Sequence, residues 1–344
     1  MKTYQYLLPK LYAQKEKFFT QQSLREICEG EAPEKIAQIL RDHGYDIPAG
    51  IRNLMELSAQ LELAAEKRVE KILELAPTEA EEIIEIILSW EKISSVLLGI
   101  KIFESTGDLS RAISAMPKNE GELLRNLVEQ TAFTLGSSPP QIKTVIQKIV
   151  SKKEIREALL QSLKSLEEGG GISTFQLSLF LNIIELLNRK VSELNQIRKQ
   201  EILDTLCYYI DEKILFLSVN AVRIDGSNRV TTSIIEKARG CRVRGKEILE
   251  SIQSEGIAQL FSKIITQYGG TVEKGESPEL QIVRSLRRQA RRTASLRYAS
   301  YPFTPALPLA VVLNIETEKS EIMKLLMELG SGISCIEAVE KASI

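Results

Sequence analysis

The sequence predicts an all-α fold built from three similar helical units. Three observations carry that expectation. Apolar residues recur at helical spacing along most of the chain. Alternating, strand-like patterns are scarce. Segments far apart in the chain echo one another, the signature of internal repetition.

Periodicity is plainest in three stretches. Leu57, Leu61, Ala64, Val69 and Ile72 mark an amphipathic helix ending at Pro77. Thr78 reads as the N-cap of the next, with Glu81 as its capping-box partner, and Ile83, Ile84, Ile86 and Ile87 inside it. Leu177, Leu179, Phe180, Ile183, Ile184 and Leu187 mark a strongly buried helix. The strongest strand-like stretch runs from Val219 to Val230 around a turn at Asp225–Asn228. Breaks at Ser137–Pro140, Gly169–Gly171, Gly269–Gly270 and Tyr301–Pro302 are short and read as turns between packed helices.

The echoes have fixed offsets. A shift of 225 positions places Leu24 on Leu249, Ile27 on Ile252, Ile39 on Ile264 and Gly44 on Gly269. A second sets Glu91-Lys92-Ile93 on Glu212-Lys213-Ile214, each near an aromatic, Trp90 or Tyr208-Tyr209. They point to units of about 110 residues, an ordinary domain size, dividing the chain as 1–105, 106–220 and 221–344.

Composition sets limits on function. The 344 residues carry 45 Lys+Arg against 46 Asp+Glu, a net charge of −1, so no bulk bias points to nucleic acid or an acidic membrane. Cys28, Cys207, Cys241 and Cys335 lie far apart, which reads as free thiols in a reducing compartment. The N-terminal segment has no long apolar core and does not read as a signal peptide. No stretch approaches the roughly 20 apolar residues that span a bilayer; the best, Ala306 to Leu313, is short and contains Pro308.

No catalytic or metal-ligating set emerges, and no cofactor is called for. Zinc sites need three or four ligands at local spacing, and the chain has one histidine, His43, which reads as the end of a helix before Gly44. Gly240–Glu247 fits G-x-x-x-x-G-K and then fails. A phosphate-binding loop needs Ser or Thr next, for Mg²⁺, and a strand before it. Glu247 and the helix-like Ser233–Arg239 supply neither. The bland alternative is a helix start with basic surface residues.

One segment carries an arginine ridge. At about 100° per residue, Arg284, Arg287, Arg288 and Arg291 share a helix face, with Arg292 at its edge and Ile282, Val283, Leu286 and Ala290 opposite. This ridge fits plain solvation, or docking on a carboxylate-rich surface. Nucleic-acid binding is disfavoured because interleaved aromatics are absent.

Several segments, in order, resemble the C/d central-stalk subunit family of V-type and archaeal-type rotary ATPases. They are Tyr4, Tyr6 and Ala13-x-Lys15; Leu40-Arg41-Asp42-His43-Gly44-Tyr45; and Leu75-Ala76-Pro77 running into Ser89-Trp90-Glu91. Tyr209-Ile210-Asp211, Tyr301-Pro302-Phe303, Lys319-x-Glu321-Ile322-x-x-Leu325 and Gly330-x-Gly332 continue the series. The family's Asn-Ile-Lys core is missing after Trp90-Glu91 and after Asp211, which marks a divergent member.

The resemblance implies a pseudo-threefold funnel of three helical units at the cytoplasmic face of the membrane. It implies contact with the shaft subunits D and F and with the proteolipid ring, membrane association through these partners, and torque transfer for proton or sodium transport without an active site. The other reading is a generic helical adaptor or scaffold.

Overall fold

The computed structural model describes residues 4–30, 32–114, 116, 118–131, 138–150, 152–272, 277–299, 302–332 and 339. Among them the backbone forms seventeen α-helices, one π-helical turn and no strand; a lone bridge joins Arg239 and Arg244. The chain is all-α, as its periodicity predicts. Ser137, Tyr301 and Cys335 lie outside the described residues.

The helices follow a recurring order. After α1 (Tyr4–Lys15), the short helices α2 (Gln21–Glu29) and α3 (Pro33–Asp42) precede the long helices α4 (Leu54–Leu73) and α5 (Thr78–Thr106). Two connecting helices, α6 (Leu109–Ser114) and α7 (Lys118–Thr131), lead to a second short pair, α8 (Pro139–Ile149) and α9 (Lys153–Gln161). A single turn, α10 (Lys164–Glu167), then opens onto long α11 (Ile172–Ser192) and α12 (Gln196–Asn220). A π-helical turn (Ala221–Asp225) and α13 (Arg229–Lys237) lead to the third short pair, α14 (Gly245–Ser254) and α15 (Ile257–Gln267), and the third long pair, α16 (Pro278–Ala299) and α17 (Ala306–Gly330).

The 225-residue offset has a structural counterpart. It carries α2 onto α14 and α3 onto α15 to within one residue. It also carries Gly44 onto Gly269, and both adopt positive φ, 84° and 74°, where a side chain would be strained. His43 is the C-cap residue of α3, as expected.

Local chemistry sets the helix ends. Thr20 and Ser23 form a reciprocal cap on α2, and Asn53 Oδ1 accepts from the Glu56 N–H at the start of α4. Pro33 and Pro139 open α3 and α8, where a missing N–H costs nothing. The Pro77 carbonyl accepts from the Glu81 N–H at 3.0 Å, so Thr78 is the first residue of α5 rather than the cap before it.

Two expectations are overturned. Val219–Val230 is no strand: α12 runs to Asn220 and passes into the π-helical turn, and Asn228 caps α13 by accepting from Thr231 N–H at 2.8 Å. A short apolar run does not distinguish a strand from a buried helix, and Val219 and Ala221 are buried as helical residues. The described cysteines are not free thiols either. Cys28, Cys207 and Cys241 are disulfide-bonded. Separation along the sequence says nothing about approach in space, which alone decides bridging.

The chain divides into two compact units, Met1–Glu82 with Gln196–Tyr208 and Phe261–Ile344, and Ile83–Asn195 with Tyr209–Leu260. In the first, α4 packs on α17. Leu54 lies beside Gly330 and Arg68 beside Glu318, so the two helices run antiparallel. Leu57, Leu61 and Ala65 of α4 and Ile315, Ile322 and Leu325 of α17 are buried. The apolar run Ala306–Val312 is buried as well, and no helix among the described residues is long and apolar enough to cross a membrane.

In the second unit, α11 is the core helix, with Phe175, Leu177, Phe180, Ile183 and Leu187 buried. Trp90 of α5 packs on Phe180 with ring centroids 4.8 Å apart. Each such buried side chain contributes about 1.5–3 kcal/mol relative to exposure. Asp225 accepts from the Thr174 N–H at 2.5 Å and so caps α11.

Candidate functional site

The arginine ridge lies on α16, and the structure splits it. Arg287 pairs with Glu321 of α17, a buried carboxylate. Arg291 is largely buried; burial lowers its pKa and the nearby Glu318 carboxylate opposes that shift. Arg284 is half-buried, while Arg288 and Arg292 are exposed. Helical geometry explains the split. At about 100° per residue, Arg287 and Arg291 fall on one edge of the ridge and Arg288 and Arg292 on the other. Ile282 and Leu286 face the core, as expected, whereas Val283 and Ala290 are half-buried.

Glu318 is the centre of a buried polar network in the first unit. Its carboxylate accepts from Tyr45 Oη at 2.8 Å and from the Phe19 N–H at 2.5 Å, and lies 3.4 Å from an Arg68 guanidinium nitrogen. Arg68 donates in turn to Gln14 Oε1 at 2.6 and 3.1 Å, and its guanidinium sits 4.5 Å from the Tyr45 ring centroid. Burial raises the Glu318 pKa; Arg68, the Phe19 N–H, Tyr45 and Arg291 pull against it. Burial, with Glu318 beside it, also raises the Tyr45 pKa.

The network thus ties α1, the α1–α2 turn, the segment after α3, α4, α16 and α17 to one carboxylate. Sequence reasoning placed Glu321 near a helix motif and missed Arg68 and Glu318. A signal was there: Arg68 continues the stripe Leu57, Leu61, Ala64, and Glu318 sits between Ile315 and Ile322, positions that face a core.

The Gly240–Glu247 loop is a built anion cradle that holds the chain's own anion. The backbone N–H groups of Cys241, Arg242 and Val243 donate to the Asp211 carboxylate at 2.7, 3.0 and 3.4 Å. Asp211 is fully buried. The loop is closed by Gly240 N–H to Val243 O at 2.8 Å and Gly245 N–H to Ala238 O at 2.9 Å. Successive N–H groups converging on one point make the kind of nest that elsewhere binds phosphate; here a side chain from α12 fills it.

Both motif glycines are explained by close approach. A Cβ on Gly240 would come within 1.9 Å of Asp211 Oδ1, and one on Gly245 within 1.7 Å of the Ile235 carbonyl. Helix α13 precedes the loop and α14 starts at Gly245, so the segment is the helix start that the bland alternative describes.

The two echoed acidic segments meet in the second unit. Tyr209 Oη donates to Glu91 Oε1 at 2.6 Å, and Lys213 Nζ lies 3.0 Å from the same oxygen. The Lys213 ammonium also sits 5.2 Å from the Tyr209 ring centroid. These contacts cross-link α5 and α12. Among the described residues, no group of three or more His, Cys, Asp or Glu side chains could hold a metal.

The arrangement thus consists of helices clamped by buried charge and an arginine helix whose Arg288 and Arg292 edge is exposed. No curated protein matches the sequence significantly. The family model described as ATP synthase (C/AC39) subunit matches residues 7–327, nearly the whole chain. The chain belongs to the ATP synthase C/AC39 family, the C/d subunits of the membrane-associated V- and A-type rotary ATPases.

Proposed function

We propose that the chain is the non-catalytic coupling subunit of its ATPase, linking the central shaft to the membrane proteolipid ring and passing torque between them for proton or sodium transport. The observation that carries this reading is the thrice-repeated order of two short helices followed by two long ones. Units divided near residues 105 and 220 each contain one such series. Three similar units suit a pseudo-threefold funnel, a socket that receives the end of a shaft formed by subunits D and F.

The absence of an active site belongs to the same proposal. It is supported by the cradle at Cys241–Val243, which the Asp211 carboxylate fills. Stiffness is supported by the Glu318 network and by close helix packing, which transmits strain. Attachment at the cytoplasmic face then comes through the ring and the shaft.

The arginine ridge supplies the proposed contact. Arg284, Arg287, Arg288 and Arg291 face or flank the partner, with Arg288 the exposed member and Arg287 and Arg291 braced from behind by Glu321 and Glu318. Gentle membrane extraction followed by cross-linking tests the assignment. Cross-links from this chain to both shaft and ring subunits are expected; cross-links to the stationary outer stalks alone would remove the coupling role.

A further inference from the structure

Five cations occupy the ten residues from Lys237 to Lys246, which join α13 to α14, and no acid lies among them. Lys237, Arg239, Arg242, Arg244 and Lys246 are all exposed. Their backbone is the loop that closes over Asp211. The N–H groups of Cys241, Arg242 and Val243 point inward to that buried carboxylate, so these donors are already used.

Two of the cations are forced together. The Gly240 N–H donates to the Val243 carbonyl at 2.8 Å and the Gly245 N–H to the Ala238 carbonyl at 2.9 Å. These bonds flank Arg239 and Arg244, which the bridge sets directly opposite each other without a mutual hydrogen bond. In such a pair the Cα atoms are only about 4.5 Å apart and the side chains leave on the same face. Like charges placed that way repel and weaken the pairing. Nothing described within the chain relieves the repulsion. No carboxylate among the described residues pairs with Arg239 or Arg244, and the Glu250 carboxylate lies 3.9 Å from Lys246 instead. The loop is held against spreading, because Ala238, Val243 and Gly245 are buried and Asp211 holds three of its amides.

We infer that the Arg239–Arg244 pair is a docking clamp for an acidic segment of another protein chain, with carboxylates of that segment seated on the two guanidiniums. Arginine's planar fork meets a carboxylate with two parallel hydrogen bonds. Lys237, Arg242 and Lys246 lengthen the positive strip beyond a single anion, which suits a run of acidic side chains. A compact phosphate would call on converging backbone N–H groups, and those of this loop are turned to Asp211. A bilayer surface would call on large apolar side chains exposed beside the cations; Val243 is buried and the segment has no other large apolar residue. Nucleic acid would call on aromatic stacking partners, which the segment lacks. The inference stands on this loop and does not depend on the shaft–ring reading.

Fluorescence anisotropy of a labelled hexaglutamate peptide, titrated with the full chain, tests it. The peptide should bind, more weakly as salt rises, and a hexaglutamine peptide should not. Arg239→Gln with Arg244→Gln should bind hexaglutamate about tenfold more weakly, as two losses of roughly threefold compound. Lys143→Gln with Lys148→Gln removes as much charge from exposed positions on α8 and should leave binding unchanged. Without peptide, the arginine double variant should unfold at a urea concentration no lower than wild type, because it loses a repulsion and not a brace. No binding of hexaglutamate by the folded chain overturns the inference. So does equal binding by the arginine variant, an equal loss in the lysine variant, or a lower urea midpoint that makes the pair structural. Inorganic phosphate that binds wild type more tightly than the peptide does assigns a phosphate site instead. Phosphatidylglycerol vesicles that bind wild type but not the arginine variant, when the peptide binds neither, assign a lipid surface; both results overturn the clamp.

Discussion

Arg68 and Glu318, 250 residues apart in sequence, form an ion pair with N–O distance 3.4 Å and side chains only 4% and 1% exposed. Burying two charges is costly even when they meet, and removing one partner costs more than the pair contributes. Arg68→Ala should therefore destabilise the chain by about 3–5 kcal/mol, read as a lower urea midpoint at neutral pH. Replacing both residues with apolar ones of similar volume should recover most of that loss. A single Arg68→Ala variant as stable as wild type would show that the pair does not brace the fold.

The same carboxylate sets a pH dependence of unusual sign. Burial raises the folded-state pKa of Glu318 above its unfolded value of about 4.3. Its contribution to stability is therefore fully present below that unfolded value and is lost as pH rises through the raised folded pKa. The difference in unfolding free energy between wild type and Glu318→Gln should fall with rising pH across that window and then flatten. Paired urea titrations over a pH series read it. A difference that grows with pH would mean the network holds the carboxylate below, not above, its ordinary range.

Asp211 and the loop at Gly240 should behave as one structural unit. Asp211→Ala removes the acceptor for three backbone donors, two of them in close contact, at about 3–6 kcal/mol given roughly 1.5–3 for each bond to a charged group. Gly240→Ala should be comparably damaging, because its Cβ has no room. Thermal unfolding measures both. In the wild type, Mg²⁺ with ATP should leave the melting temperature unchanged; a rise that saturates with ATP would restore the nucleotide reading.

The two edges of the arginine helix should separate in experiment. Arg287→Ser leaves Glu321 buried without its guanidinium, so unfolding should become easier by a few kcal/mol. Arg288→Ser alters an exposed side chain, so stability should stay within about 0.5 kcal/mol while co-purification with shaft or ring subunits weakens at low salt. Equal stability losses would show that the ridge acts as a single structural element.

The features legible in the sequence are those written in apolar spacing and in turn residues. The apolar side of α16 at Ile282 and Leu286, the buried α11, and the helix end before Gly44 follow from local pattern. So does the recurrence of α2–α3 as α14–α15, because the offset aligns apolar positions, among them Leu24 and Leu249, which are both buried. Charged letters hid the rest. Arg68 and Glu318 read as surface residues because Arg and Glu are almost never fully buried unless paired, and the partner lies 250 positions away. Asp211 could not be linked to the Gly240 loop for the same reason. Val219–Val230 misled because aliphatic residues without a longer period fit helix and strand alike. The disulfides of Cys28, Cys207 and Cys241 depend wholly on three-dimensional approach.

The central claim is that this chain couples ATP chemistry to ion movement without performing either. ATP-driven ion uptake into vesicles carrying the ATPase, assembled with and without this chain, tests it most directly. Without the chain, the catalytic head should still hydrolyse ATP while ion uptake is lost, and adding the purified chain back should restore uptake. Ion uptake that persists at the full rate without the chain would contradict the account.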